Sequence, residues 1–250
     1  MSLFVFEGNM RIQLKKVFTL IEFLIVISVI AILITLLQPS LKRTLVMTNR
    51  MVCAQHQKEM IKVSHIIAED QSMMLPKGQR TNGSGDHTIW ISKGAYKKFI
   101  DYGLVEAHLM CPNIHGEAFG LKEGQVYKTG NWVLIWSHYL GNRPFLKSKT
   151  RPGNTNQPAW NYTIPMRADE DGSLPLLADG NAYGFAGGGW TLAPHETGQD
   201  RVREGFPVTP LDIGAEGGNV GTLDGSVAWK DIQDMNEYNV ANSSRYKGYW

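Results

Sequence analysis

The chain has 250 residues, 19% of them charged, and a formal net charge of +2. Apart from a short leader-like segment it has no basic run, so composition gives no footing to nucleic acid or another polyanion as partner. No Gly-x-Ser-x-Gly, His-Glu-x-x-His or phosphate loop occurs, and the histidines are scattered, so an enzyme is not expected.

Arg11, Lys15 and Lys16 precede a run from Phe18 to Leu37 in which sixteen of twenty residues are apolar; the others are Thr19, Glu22, Ser28 and Thr35. At about 1.5 Å of rise per residue the run spans roughly 30 Å, one bilayer core. A carboxylate inside it costs about 2.5–3.5 kcal/mol on insertion scales. Glu22 therefore needs a cationic partner, or else snorkels to interfacial water. The basic residues ahead of the run put the N-terminus on the cytoplasmic side. Met10–Lys16 has the look of a leader and Met1–Asn9 does not, so Met10 is the expected start. Residues 1–17 are set aside from the fold.

Lys15-Lys16-x-Phe18-Thr-Leu-Ile-Glu22, the Ile-, Val- and Leu-rich run behind it, and Pro39 resemble the N-terminus of type IV pilins and type II secretion pseudopilins. The resemblance covers roughly Lys15 to Ser40. It implies cleavage between Val17 and Phe18 by a prepilin peptidase, methylation of the new amine, and assembly with other pilin-like subunits through Phe18, Glu22 and Pro39. Val17 stands where the family carries Gly. A chain cut there would offer its Phe18 amine as the cation that a neighbouring subunit's Glu22 requires.

Pro39 kinks a helix rather than always ending it. Beyond it Leu41, Leu45, Val52, Met60, Val63 and Ile67 recur in steps of threes and fours, with polar residues on much of the other face. This predicts one helix from Phe18 to about Glu69, roughly 75–80 Å long, its second half docked on the C-terminal domain. The expected parts are a leader (1–17), a transmembrane part of the helix (18–38), its amphipathic exported part (39–70) and a globular β-rich exported domain (71–250).

In that domain, residues 76–86 read as a polar loop and Ile89–Ile91 as a short strand. Ala95–Leu104 reads as a short helix closed by Gly103. Trp132–Trp136 is a buried-strand candidate within 127–140, and 142–158 an exposed loop. Leu174–Ala178 reads as a strand running into an Asp179-Gly180 turn. Glycines 184–189, 198 and 205 mark a long irregular excursion. Asn219–Leu223, Asp224-Gly225 and Ser226–Lys230 predict a hairpin with a type I′ turn, both central residues at positive φ. This hairpin, with Cys53 and Met110-Cys111-Pro112, is also similar to a large group of prepilin-like proteins that end in an Asp-Gly hairpin. Many of those carry His ten residues before the Asp. Here Gly214 holds that position, so any role tied to the His is absent or moved, with His195 as a candidate.

Cys53 and Cys111 are the only cysteines. Outside the cytoplasm they pair as a disulfide or stay as two buried thiols. A bridge would close a loop of about 58 residues, worth roughly 3–4 kcal/mol in the chain-entropy model. His108, Cys111 and His115 have ligand-like spacing, but Pro112 interrupts them and no fourth ligand is evident, so no metal is expected. Asp169-Glu170-Asp171 offers carboxylates to calcium, but it lacks the alternating ligand pattern and reads first as a solvated turn. Asp179 and Asp224 read as turn residues.

The expected fold is therefore α+β and pilin-like: a long N-terminal helix packed on a small antiparallel sheet with long loops. The expected function is a structural subunit of a type II secretion pseudopilus or type IV pilus-like filament, with no cofactor. It would cross the bacterial inner membrane once, with its C-terminal domain periplasmic or in an extracytoplasmic filament. The alternative is a membrane-anchored protein binding glycan or another surface polymer through Trp90, Trp160, Trp190 or Trp229, core burial being the usual fate of Trp.

Overall fold

The computed structural model describes residues 19–78, 87–114, 126–143, 163–184, 190–195, 202–204, 213–241 and 246–250. Val17, Phe18, His115, Trp160, Gly198 and Gly205 lie outside them, as does most of the 142–158 loop.

Helix α1 runs unbroken from Leu20 to Glu69 with Pro39 inside it. Its start is a reciprocal cap. Thr19 N–H and Oγ1–H donate to Glu22 Oε2 at 2.8 and 2.7 Å, and Glu22 N–H donates to Thr19 Oγ1 at 3.3 Å. Its few hydroxyls turn back onto the helix: Ser28 Oγ donates to the Leu24 carbonyl and Thr35 Oγ1 to that of Ile32, both at 2.7 Å. An apolar helix handled this way leaves few polar groups for lipid to strand. Every residue from Leu20 to Thr48 is exposed. The helix is long and apolar enough to cross a membrane.

The chain divides into two units after Leu45. In the second unit α1 buries Cys53, Gln57, Met60, Ile61, Val63, Ser64, Ile67 and Ala68, a stripe at helical spacing. The stripe was expected to begin at Leu41, but Leu41 and Leu45 are 59% and 54% exposed.

Among its described residues the rest of this unit is antiparallel β with one more α-helix, so the chain is α+β. Instead of one small sheet, the described residues form three. The first has the order β1 (Trp90–Ser92), β3 (Trp132–Leu134), β2 (Tyr127–Thr129). The second runs β10 (Val227–Asp231), β9 (Gly217–Thr222), β5 (Pro175–Asp179), β4 (Ser137–Tyr139). The third runs β11 (Glu237–Asn239), β12 (Tyr246–Tyr249), β6 (Ala182–Gly184), β7 (Trp190–Leu192), β8 (Val202–Glu204). Helix α2 (Lys93–Asp101) is capped by Ser92 Oγ, which accepts from Ala95 N–H, and the chain leaves it through Gly103 at φ +94°.

Two expectations change. The 132–136 strand ends at Leu134, because Ile135 N–H donates to the Ile89 carbonyl and Trp136 N–H to that of Leu109, which carries the chain from the first sheet to the second. The hairpin forms, but its turn is not type I′. Gly225 has φ +89°, whereas Asp224 is absent from the positive-φ side chains. Gly225 N–H donates to the Thr222 carbonyl and Thr222 N–H to that of Ser226, the pattern of a type I turn followed by a left-handed glycine. The reason is tertiary: Leu223 is 1% exposed and its N–H donates to the Leu174 carbonyl, so the tip is anchored in the core. The hairpin is also not the end of the β structure, since β11 and β12 come after it.

Candidate functional site

Where α1 meets the second sheet, apolar packing gives way to a buried polar cluster. Strand β9 reads Gly-Gly-Asn-Val-Gly-Thr, and its glycines let other elements approach closely. A Cβ on Gly221 would come within 2.7 Å of Ile61 Cδ1, and one on Gly218 within 2.9 Å of Asp179 Cβ. Helix and strand are thus near enough for side chains of α1 to reach the end of β5.

Asp179, the last residue of β5, stands at the centre. It is 2% exposed, so the expected turn residue is instead a buried carboxylate. Its Oδ1 accepts from Gln57 Nε2 at 2.8 Å. Its Oδ2 accepts from Asn219 N–H at 2.7 Å and Asn219 Nδ2 at 3.1 Å, and pairs with His195 Nε2 at 3.0 Å. A carboxylate can be buried at tolerable cost only when donors and an opposite charge surround it in this way.

His195 lies just beyond β7 and is 2% exposed. Burial pulls its pKa down, but the hydrogen bonds and charges of Asp179 and Cys111 outweigh burial and push it up to about 10. The Asn113 amide meets its Nδ1 at 3.0 Å, Asn49 bonds to Asn113, and the ring edge meets Trp229 at 5.3 Å. Arg50 lies over Trp229 at 3.9 Å and pairs with Glu216. Glu216 N–H donates to the His195 carbonyl at 2.9 Å. His195 therefore sits beside the segment just after Gly214.

The two sulfurs complete the cluster. Cys53 Sγ lies 2.7 Å from Cys111 Sγ, and Cys111 Sγ lies 3.9 Å from His195 Nε2. No S–S bond joins them in the structure, and they are 3% and 2% exposed. Burial pushes the Cys111 thiol up, but bonds to Cys53 and His195 bring it down to about 6, while burial and its shared proton drive Cys53 far up.

A nucleophile–base relay does not fit this geometry. In such a relay the acid orients one ring nitrogen while the other serves the nucleophile; here Asp179 and Cys111 share Nε2. Metal ligation is the other chemistry to weigh, since the ligand atoms of Cys53, Cys111 and His195 lie within 4.8 Å of one another. Two thiolates on one tetrahedral zinc, with bonds of about 2.3 Å, stand about 3.8 Å apart, wider than the pair found here. Nε2 of His195 is also already engaged by Asp179.

The other expected site residues are dispersed. Asp224 and Gly225 form the hairpin turn, with Asp224 Oδ1 accepting from Ser226 N–H at 2.9 Å. Asp169 pairs with Arg167, Glu170 Oε2 accepts from Met166 N–H, and Asp171 Oδ1 accepts from Ser173, so the acidic knot is tied internally. Trp90 and Trp132 stack on each other at 4.1 Å and pack on the core. His108 neighbours His56 at 5.2 Å. Sequence reasoning did not bring Gln57, Asp179 and Asn219 together. The available signal was an acid ending an apolar strand, which a turn explains equally well.

No protein-family model, curated protein or solved structure matches the chain.

Proposed function

We propose that the protein is a pilin-like structural subunit, cut before Phe18 by a prepilin peptidase and assembled through its N-terminal helix into a pilus or secretion pseudopilus. The observation that carries this reading is the division of labour along α1. One continuous helix is wholly exposed and apolar over its first part, with Glu22 as its one charge before Lys42, and buries one face in a β-rich unit over its last part. A plain anchor has no use for Glu22. The Thr19–Glu22 cap accounts for part of its bonding but leaves the carboxylate's charge without a counter-ion among the described residues. The methylated amine at Phe18 of a neighbouring subunit would supply one.

Intact mass of the protein taken from its host membrane tests the reading. A chain that begins at Phe18 and carries one extra methyl group supports it. A chain that retains residues 10–17 removes the amine partner of Glu22 and makes a membrane-anchored binding protein the better account.

A further inference from the structure

We infer that Cys53 and Cys111 close an intramolecular disulfide that fastens the outer part of α1 to the loop after the 3-10 turn Glu106–Leu109. The oxidising setting rests on the export proposed above.

Three observations converge on this pair. The sulfurs adjoin, and both are buried, so they face each other rather than solvent or a partner. They come from elements far apart in sequence but already tied together, since His56 Nδ1 meets the Met110 carbonyl at 2.8 Å and Asn49 bonds to Asn113. The docked helix therefore presents Cys53 to Cys111 with no backbone shift required of the closed bridge, which limits strain. Finally, every polar neighbour has other work: Asp179 is surrounded by donors, and His195 is engaged at both ring nitrogens.

Formation balances as thiol–disulfide exchange with a disulfide-bearing oxidant. Cys111, kept as thiolate by the neighbouring imidazolium of His195, attacks one sulfur of the oxidant and expels the other as thiolate. Cys53 gives up its proton and attacks Cys111 Sγ in the mixed disulfide, releasing the oxidant as a dithiol. Starting from the Cys111 thiolate, the S–H bond of Cys53 and the S–S bond of the oxidant are lost and the Cys53–Cys111 S–S bond is gained; two electrons and the Cys53 proton pass to the oxidant, which takes its second proton from water. Because both sulfurs end buried, the exchange belongs to folding, before α1 seats fully, and the finished bond is sheltered from later reduction.

The test is alkylation of the full chain, extracted from its membrane without reductant, denatured in N-ethylmaleimide and weighed intact, with a peptide map and a zinc determination on the native sample. The expected result is no adduct before reduction, two adducts after it, and a Cys53–Cys111 cross-linked peptide from the monomer. Two adducts without reduction would overturn the inference, whether the native protein held no metal or an equivalent of zinc, and so would a cross-link between chains. The same spectrum reads the N-terminus. A chain starting at Phe18 with free thiols sinks the disulfide alone, and an uncut chain with the bridge sinks the filament reading alone.

Discussion

Replacing Asp179 by Asn isolates the charge at the centre of the cluster. The amide keeps the shape and can still accept from Asn219 and His195. The donor it places toward α1 meets Gln57, whose Oε1 has no hydrogen-bond partner among the described residues and can turn to accept it. What disappears is the counter-charge of a buried imidazolium. With both cysteines reduced, His195 stands at about 10 against an ordinary 6.5, a gap equivalent to about 5 kcal/mol at 1.36 kcal/mol per unit, shared between Asp179 and Cys111; a Cys53–Cys111 bond leaves the Asp179 share alone. Breaking one side of a buried pair costs about 3–5 kcal/mol, so D179N should lose about that much at pH 7. The pH dependence has a definite sign. A group whose folded pKa is raised contributes fully below its unfolded pKa. The His195 contribution is therefore complete below pH 6.5, declines as pH rises, and is gone above about 10. Urea unfolding of the full chain in detergent, from pH 6 to pH 10, should show wild-type stability falling across this range and D179N lacking most of that fall. A loss under about 1 kcal/mol, or an unchanged pH slope, would refute the charged pair.

The acid limb should come from elsewhere. Burial, with the Arg143 charge adding to it, pushes His138 down to about 4, and burial with the His138 and Arg143 charges holds His87 well below its usual value. Both groups stabilise as neutral rings, so stability is full above pH 6.5 and drops by up to about 3 kcal/mol through His138 as pH falls to 4; unfolding curves at pH 7, 5.5 and 4.5 would show it, and H138Q should flatten it. A Cβ at Gly180 would stand 2.5 Å from the Trp136 carbonyl oxygen, so G180A should cost about 1–3 kcal/mol. Gly130 has nothing within 4 Å, and G130A should stay within about 0.5 kcal/mol of wild type when both glycine variants are compared by thermal melt. Leu223 is 1% exposed at the hairpin tip, and L223A should lose about 2–5 kcal/mol by urea unfolding. E22Q preserves the hydrogen-bonding cap but not the charge. If Glu22 meets a neighbouring amine, E22Q should lose filament assembly as completely as E22A, with helicity by circular dichroism unchanged; filaments of E22Q at wild-type yield in a shearing assay would assign Glu22 to capping alone.

What the sequence disclosed was local. The long helix is legible because its apolar run and its later threes-and-fours spacing are properties of neighbouring residues, and Pro39 does not interrupt it. The short helix closed by Gly103 and the hairpin at Asp224-Gly225 are legible for the same reason. The hairpin's turn type was not, because Leu223 answers to the core rather than to the turn. Leu41 and Leu45 share the helical spacing of the buried stripe, and spacing alone cannot say where burial begins. The Cys53–Cys111 neighbourhood could be suspected since there was no other pairing to consider. The rest of the site joins Gln57 to Asp179 across 122 residues and Cys111 to His195 across 84. No local rule couples such separations, and the Ala-Asp-Gly at 178–180 carries the same letters whether it turns in water or ends a strand in the core.

The placement of these polar groups bears on how α1 is held in register. Met60, Ile61, Val63 and Ile67 present an apolar stripe, and a stripe repeats: sliding the helix by one turn, about 5.4 Å, brings another apolar side chain to nearly the same place. The polar contacts do not repeat. A four-residue slip would set Cys53 or Ile61 where Gln57 donates to Asp179, part Asn49 from Asn113, and take His56 and His65 from the carbonyls of Met110 and Leu223. The vacated buried carboxylate of Asp179 would cost about 1–3 kcal/mol, and the half-buried contacts of Asn49, His56 and His65 would be lost besides, none of which apolar contact restores. In the filament proposed above, a helix that meets neighbours at a fixed depth needs its docked part fixed along its axis, and the Asp179 cluster, with the two sulfurs at its edge, would supply that constraint where burial alone would not.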